Sequence, residues 1–300
     1  MKLDDYRIQT TKDGSLSLYS LSYEEGFHDK DGALRESIRK YLLPAQLEQF
    51  STSEKIVVLD VCIGLGYNTG CILEKLFQSN IKIEWHGLEI DQRPLNLALN
   101  QKIFQKIWSP KLLHFFNCIN KSGEWTEGFN EGNIHWGDAR QKIYELKDSL
   151  KFDLILLDPF SPQKCPELWS EEFISVLTKK LSIKGRLITY STAASIRASF
   201  KRAGLKIYSI VPLTDNQNKW SSGTVAMRKE LEEHFISENC QFKELSTREI
   251  EHLATRSSIP YRDPTGRGSS KEIISTREIE QSKSQLINTS SWRKRWNTAQ

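Results

Sequence analysis

The stretch Phe152-Asp153-Leu154-Ile155-Leu156-Leu157-Asp158-Pro159-Phe160-Ser161-Pro162 constrains this chain more than any other. Five of its first six residues are apolar, and an acid and two prolines close the run. That pattern reads as a strand buried on both faces, the kind found in parallel α/β sheets. In such sheets chemistry collects beyond the carboxyl ends of the strands. Asp158 stands at that end, and Pro159 and Pro162 stiffen the loop that follows. With Phe160 as an aromatic face, the tip can hold an amine or the edge of a base. Taken alone, the same residues read equally well as a strand and an Asp-Pro turn.

Three earlier segments weight the choice. In Ile56-Val57-Val58-Leu59-Asp60-Val61-Cys62-Ile63-Gly64-Leu65-Gly66-Tyr67-Asn68, an apolar strand runs into a glycine turn and then a helix expected over about 68–78. Glycines at 64 and 66 let backbone approach a ligand, and the helix start offers unpaired N–H groups. Cys62 occupies the first glycine position of a dinucleotide fingerprint, so that motif is incomplete. A second strand ends in Glu89, 23 residues after Gly66, placed to accept from two ribose hydroxyls. A third ends in Gly137-Asp138-Ala139, where Asp138 can accept an adenine amino group. Each acid alone is also a candidate helix cap or turn residue.

The order Gly-x-Gly, acid, Gly-Asp-Ala, acid-Pro-aromatic resembles the class I S-adenosylmethionine-dependent methyltransferases. The alternation of strands and helices over 53–230 agrees with a doubly wound sheet. The expectation is a Rossmann-like α/β fold with a mostly parallel seven-stranded sheet. Leu205–Val211 and Ser222–Met227 would form its closing antiparallel pair. Helices are expected at about 170–181 and 193–203. Residues 1–52 form an N-terminal extension, with a strand near 15–19 and a helix over 33–50. Within it, residues 23–37 read either as a wall of the cofactor pocket, with His28 and Glu36 in it, or as a polar loop starting a helix.

Composition narrows the class. A chain with 38% hydrophobic and 27% charged residues folds and dissolves, and it has no apolar run of about 20 residues. No membrane span and no signal peptide are expected, and the setting is read as cytoplasmic. The five cysteines (62, 71, 118, 165 and 240) are scattered and the six histidines form no ligand-spaced pair, so neither disulfides nor a metal is expected.

Residues 231–300 differ in kind. Residues 241–300 hold 11 Lys and Arg against 7 Asp and Glu, so the whole net charge of +4 lies there. Tyr261-Arg262 and Ser291-Trp292-Arg293-Lys294-Arg295-Trp296 interleave aromatics with cations, which suits stacking on bases beside neutralised phosphates. The alternative is a tail that packs its aromatics on the domain. Thr-Arg-Glu-Ile-Glu occurs at 247–251 and again at 276–280 and reads as two similar helix starts.

Residues 63–68, 137–139, 157–162 with Pro166-Glu167-Leu168-Trp169, and Thr189-Tyr190-Ser191 together are similar to the methyltransferase domain of the tRNA 5-methylaminomethyl-2-thiouridine biosynthesis (MnmC) family. Pro159, Ser161, Cys165 and Leu168 stand where that family usually has Gly, Ala, Asn and Met. The tail resembles that of members without the FAD-dependent oxidase half. The resemblance implies methyl transfer from S-adenosylmethionine to the amine of a 5-aminomethyl-(2-thio)uridine at the wobble position, so the partner is a tRNA anticodon loop. A separate enzyme would supply the aminomethyl group. Asp158 would be proton acceptor and orienter, with Phe160 against the methyl donor or the uracil. Gly64, Gly66, Asn68, Glu89, Asp138, Ala139, His28 and Glu36 would hold the cofactor. Pro159, Ser161, Tyr190, Tyr261, Arg262, Arg293 and Arg295 would meet the substrate. Two rivals are an aminopropyltransferase of spermidine synthase type and a non-catalytic RNA-binding module. The first usually needs a second acid in the Asp158 loop, and none appears before Glu167.

Overall fold

Strands form here where apolar residues run together or alternate, and the strand ends that matter all fall before residue 159. The computed structural model describes residues 5–51, 53–79, 81–212, 220–228 and 241–297. Cys240 and residues 231–240 of the expected tail lie outside them. The chain separates into two compact units, Met1–Phe160 and Ser161–Gln300.

In the first unit, β1 (Tyr6–Thr10), β2 (Leu16–Ser20) and β3 (Glu25–Gly26) form a small antiparallel sheet. The helix expected over 33–50 is broken into pieces. α1 (Ala33–Ser37) passes into a π-helical turn at Ile38–Leu42, then α2 (Leu43–Ala45) and a 3₁₀ turn at Leu47–Phe50. Pro44 supplies the reason: proline lacks an N–H and its ring crowds the carbonyl four residues back. The turn widens, with Leu43 N–H donating to the carbonyl of Ile38, five residues back. The start of α1 is capped from outside. Ser15 Oγ accepts from the Ala33 N–H at 2.9 Å and Asp13 Oδ2 from the Arg35 N–H at 3.0 Å. Gly32 has φ +151°, and a Cβ there would sit 2.0 Å from Asp13 Oδ2, so no other residue fits.

The main sheet of this unit runs in the order β8-β4-β5-β7-β6. β4 (Lys55–Val61), β5 (Lys82–Glu89), β7 (Asn130–Trp136) and β8 (Phe152–Leu157) pair in parallel, and β6 (Glu124–Glu127) lies antiparallel to β7. β4 and β8 are buried along nearly their whole length, as their unbroken apolar runs require. Around the sheet are α3 (Tyr67–Leu76), α4 (Arg93–Leu99), α5 (Lys102–Gln105), α6 (Pro110–Ser122) and α7 (Ala139–Lys142). Val61 lies opposite both Leu88 and Leu157, and Glu89 opposite Trp136. That register lines up the glycine turn, Glu89, Gly137 and Asp158 along one edge.

The second unit contains α8 (Glu171–Lys180), β9 (Leu181–Thr189), α9 (Ala194–Arg202), β10 (Leu205–Ile210) and β11 (Thr224–Arg228). It continues with β12 (Phe242–Glu244), α10 (Thr247–Leu253), α11 (Ser270–Lys283) and α12 (Thr289–Arg295). Its strands run β9-β11-β10-β12 and are antiparallel throughout. The expected closing pair is present as β10 and β11. Among the described residues the first unit's main sheet has five strands and the second unit's has four, nine where seven are expected. β6 and β12, only four and three residues long, carry too little apolar pattern to read in advance.

The described part of the tail packs inside this second unit. Arg197 of α9 is 1% exposed and donates to Glu249 Oε1 of α10 at 2.7 Å, to Thr224 Oγ1 at 2.8 Å, to Ser221 Oγ at 2.8 Å and to the Gly223 carbonyl at 3.0 Å. Glu249 also closes the capping box with Ser246 that starts α10. Trp292 is buried and stacks on His252 at 4.1 Å. The second Thr-Arg-Glu-Ile-Glu lies in the middle of α11, started by its own capping box at Ser269 and Glu272, so it is not a helix start. Among the described residues no helix is long and apolar enough to cross a membrane.

Candidate functional site

The edge where β4, β5 and β8 end carries three acids, Asp60, Glu89 and Asp158, that form no ion pair among the described residues. At the end of β4 the chain turns sharply, with Cys62 at φ +68°, Gly64 at +57° and Gly66 at +93°. Cys62 therefore adopts the backbone that the missing fingerprint glycine would have taken, at a steric cost that only glycine avoids. Gly64 N–H donates to Glu89 Oε2 at 3.0 Å, while the N–H groups of Ile90 and Asp91 donate to Oε1 at 2.7 and 2.9 Å. Glu89 is 7% exposed, and burial raises its pKa against the pull of those three amides. A Cβ at Gly66 would meet Phe116 Cε1 at 2.8 Å, so the packing of the core by itself requires glycine at this position.

Asp158 follows β8. Its Oδ1 accepts from the Tyr41 hydroxyl at 2.5 Å and its Oδ2 from the Asn68 side-chain amide at 2.7 Å. Burial pushes the carboxyl up to about 7, helped by the charge of Glu36 and opposed by both hydrogen bonds and by Lys40. Asn68 therefore holds Asp158, rather than standing free for the cofactor. Behind it, Asp60 on β4 is fully buried. Its Oδ2 accepts from Thr69 Oγ1 at 2.5 Å, and Thr69 accepts in turn from Trp85 Nε1 at 3.1 Å. Asp60 Oδ1 has no hydrogen-bond partner, and burial raises this acid too to about 7, with Asp158 and Glu89 adding repulsion. A buried carboxylate oxygen without a donor is costly, and it marks where a cationic ligand would be welcome.

An aromatic wall stands beside Asp158. Phe160 stacks on Tyr23 at 4.4 Å and meets Phe27 edge-on at 5.0 Å. His28 shares a hydrogen bond with Ser17 Oγ at 3.0 Å and packs edge-on to Tyr67 at 5.1 Å. Burial lowers its pKa to about 4, so it is neutral near pH 7. Glu36 accepts from the Asp29 N–H at 2.6 Å and pairs with Lys40 at 2.5 Å, which ties down the loop rather than reaching the glycine turn. Asp138 is the N-cap of α7 and is ion-paired with Arg140 at 2.7 Å. Its carboxylate, a third exposed, is thus steered by the start of α7 and by Arg140. Ala139 is the buried first residue of α7, and Pro159 is buried behind the tip.

The remaining expected residues belong to the second unit. The Ser161 carbonyl accepts from the Lys164 and Cys165 N–H groups, and Tyr190 lies edge-on to Trp169 at 5.9 Å. Tyr261 is buried with the Arg277 guanidinium 4.3 Å over its ring, so it has no free face for a base. Arg262 is paired with Glu172 at 2.7 Å. Arg293 and Arg295 are exposed, the latter reaching Glu251 at 3.1 Å. The sequence reading misses Tyr41 and the role of Asp60. Asp60 carries a local signal, since an acid interrupts an otherwise apolar buried strand.

A family model described as S-adenosyl-L-methionine-dependent methyltransferase matches residues 104–218. An uncharacterised protein of Methanocaldococcus jannaschii is 29% identical over 282 residues, covering 92% of this chain and 72% of the relative. The bifunctional tRNA 5-methylaminomethyl-2-thiouridine biosynthesis protein MnmC of Campylobacter hominis is 29% identical over 163 residues, covering 52% of this chain. The chain spans 24% of that protein's length and 31% of the Azoarcus counterpart. Among solved structures, MnmC2 from Aquifex aeolicus superposes with a TM-score of 0.78 at 28% identity, covering 93% of this chain and 86% of the other.

Proposed function

The chain is an MnmC-like S-adenosylmethionine-dependent methyltransferase, and from that premise we propose that it methylates the amine of a 5-aminomethyluridine, 2-thiolated or not, at the wobble position of tRNA. The observation that carries this reading is Asp158: an acid at a strand tip, held by two neutral donors, with its proton affinity raised to about 7. The donor set suits the cofactor as well. Asp60 and Glu89 are buried with no ion pair among the described residues, and Asp60 Oδ1 lacks a donor. Such a cluster is completed by a small cation, and S-adenosylmethionine carries a sulfonium and an ammonium. In this reading Glu89 accepts from the ribose hydroxyls, and the Gly64 turn and Asp60 face the methionine end. When bound, the cofactor supplies the electrophilic methyl group.

The chemistry asked of the chain itself is proton handling and placement. An alkylammonium with a solution pKa of about 10 cannot attack until it loses a proton. Against an acid at about 7, the transfer is uphill by about 3 units, or about 4 kcal/mol. Burial lowers the ammonium's pKa for the same reason that it has raised the acid's, so the gap closes inside the site. Asp158 then holds the proton while the amine is oriented, and placement contributes roughly 7–11 kcal/mol. Phe160, Tyr23 and Phe27 offer the ring surface on which a splayed uracil would stack. For the rest of the tRNA, the exposed Arg293, Lys294 and Arg295 of α12 are better placed than the buried Tyr261. The test is mass spectrometry of wobble nucleosides after reaction of the purified protein with aminomethylated tRNA. A methylated product with wild type and none with Asp158→Asn is expected; an active Asp158→Asn overturns the reading.

A further inference from the structure

We infer that Tyr41 is a positioning residue for the reaction: its hydroxyl, on Asp158 Oδ1, aims that carboxylate and sets how readily it accepts a proton. The inference rests on the proposed role of Asp158. Tyr41 is 117 residues away in sequence and 1% exposed, and it donates at 2.5 Å. Asn68 donates to the other oxygen at 2.7 Å, so the carboxylate is clamped at both ends and cannot rotate. The backbone is adapted to this contact. Tyr41 sits in the π-helical turn Ile38–Leu42, and an extra residue per turn changes the direction of every side chain beyond it. Turns of this kind recur at functional sites, and here the displaced side chain is the one that reaches Asp158.

The electrostatic consequence has one sign. A neutral phenol that donates to a carboxylate stabilises the anion and leaves the protonated acid with less. The other charges acting on Asp158 are Glu36 and Lys40 from the same helical segment, and Asp60 on β4. Glu36 and Lys40 are paired with one another at 2.5 Å, so much of their influence cancels. Tyr41 and Asn68 are therefore what keep a carboxyl in this setting from remaining protonated at neutral pH. Without the Tyr41 hydroxyl, the acid would be a poorer acceptor below about pH 8 and would be free to turn.

The experiment is a titration of Asp158 by carboxyl-13C aspartate NMR, with the resonance assigned by its loss in Asp158→Asn. Tyr41→Phe keeps the ring, and the midpoint should rise by about one pH unit, the effect of one hydrogen bond to a charged group. Incorporating 3-fluorotyrosine at position 41 strengthens the donor without altering the packing, and the midpoint should fall. In kinetics, the acidic limb of kcat/KM for Tyr41→Phe should move upward with the NMR midpoint, while S-adenosylmethionine affinity by calorimetry stays within about twofold. An unmoved midpoint in both proteins overturns the inference, as does a limb that stays in place while the midpoint moves. An Asp158→Asn protein with full turnover instead defeats the role of Asp158, and the inference with it, even if the midpoints move as stated.

Discussion

Two carboxylates withdrawn from solvent, Asp158 in part and Glu249 fully, one in each unit, meet opposite fates. Asp158 receives hydrogen bonds from a phenol and an amide, and burial wins, raising its pKa to about 7. At Glu249 burial also pushes upward, but Ser209, Ser246 and the Arg197 guanidinium outweigh it and hold the acid below the usual range. What separates them is the partner's charge. Glu249 with Arg197 is a closed pair that locks α10 to α9 and leaves nothing to offer a ligand. Asp158, with Asp60 and Glu89 nearby, is an open arrangement whose cost is tolerated because a ligand can relieve it.

The comparison breaks most sharply at Asp158. Asp158→Asn keeps the two hydrogen-bond partners within reach but removes the proton acceptor. Turnover is expected to fall by roughly 10²–10⁴, with S-adenosylmethionine affinity changed only a few-fold. Near wild-type turnover would make Asp158 a structural acid like Glu249.

The next effect is on folding. Arg197→Met strands Glu249 in the interior and should destabilise the protein by about 3–5 kcal/mol, read as a lower denaturant midpoint. Arg197→Met with Glu249→Leu should recover most of the loss, because the pair, and not either charge, is what the fold accommodates. An unchanged midpoint in the single variant would show that the second unit does not depend on this lock. It follows that deleting residues 241–300 is no clean test of RNA binding, since the deletion also strands Arg197.

pH sharpens the contrast. Asp60 and Asp158 bind protons near pH 7 when folded and near 4 when unfolded. The folded chain then holds the extra protons, so their stabilising contribution is complete below about pH 4 and is lost as pH rises through about 7. Glu249 works in the opposite sense, contributing above the ordinary Glu value and failing as pH drops through its lowered one. Asp60→Asn should raise the melting temperature at pH 8 and change it little at pH 5, by up to about 1.4 kcal/mol for each unit of displaced pKa. Equal changes at both values would mean that folding does not raise the pKa of Asp60.

The smallest effect concerns the turn between them. Cys62→Gly removes the strain of a side chain at φ +68° and adds the freedom of glycine to the unfolded chain, for a net gain of at most about 1 kcal/mol. A loss in the melting experiment would show that the thiol's packing outweighs the backbone strain.

The strand-end acids were legible because each follows an apolar run by a fixed step, so a one-dimensional pattern locates Glu89, Asp138 and Asp158 before any fold is known. Their partners were not legible in this way. Tyr41 reaches Asp158 across 117 residues and only because Pro44 widens the turn before it. Composition suggested that the tail's cations face RNA, yet Arg262 is spent on Glu172 and Tyr261 is covered by Arg277. Charge counts say nothing about pairing across a fold. Asp138 had the helix-cap reading available from the start, and Arg140, two residues on, completes it.

The external cap on α1 has a consequence for the order in which the site is assembled. A five-residue helix has too few internal hydrogen bonds to hold itself together, so α1 awaits Asp13 and Ser15 from the turn between β1 and β2. That hairpin closes over a short loop and can form early. Only then is there a seat for α1, and only with α1 seated does the widened turn deliver Tyr41. The clamp on Asp158 therefore depends on that hairpin and on α1 being in place. The β1–β2 hairpin, far from the reacting groups in sequence, acts as the keystone that completes the clamp.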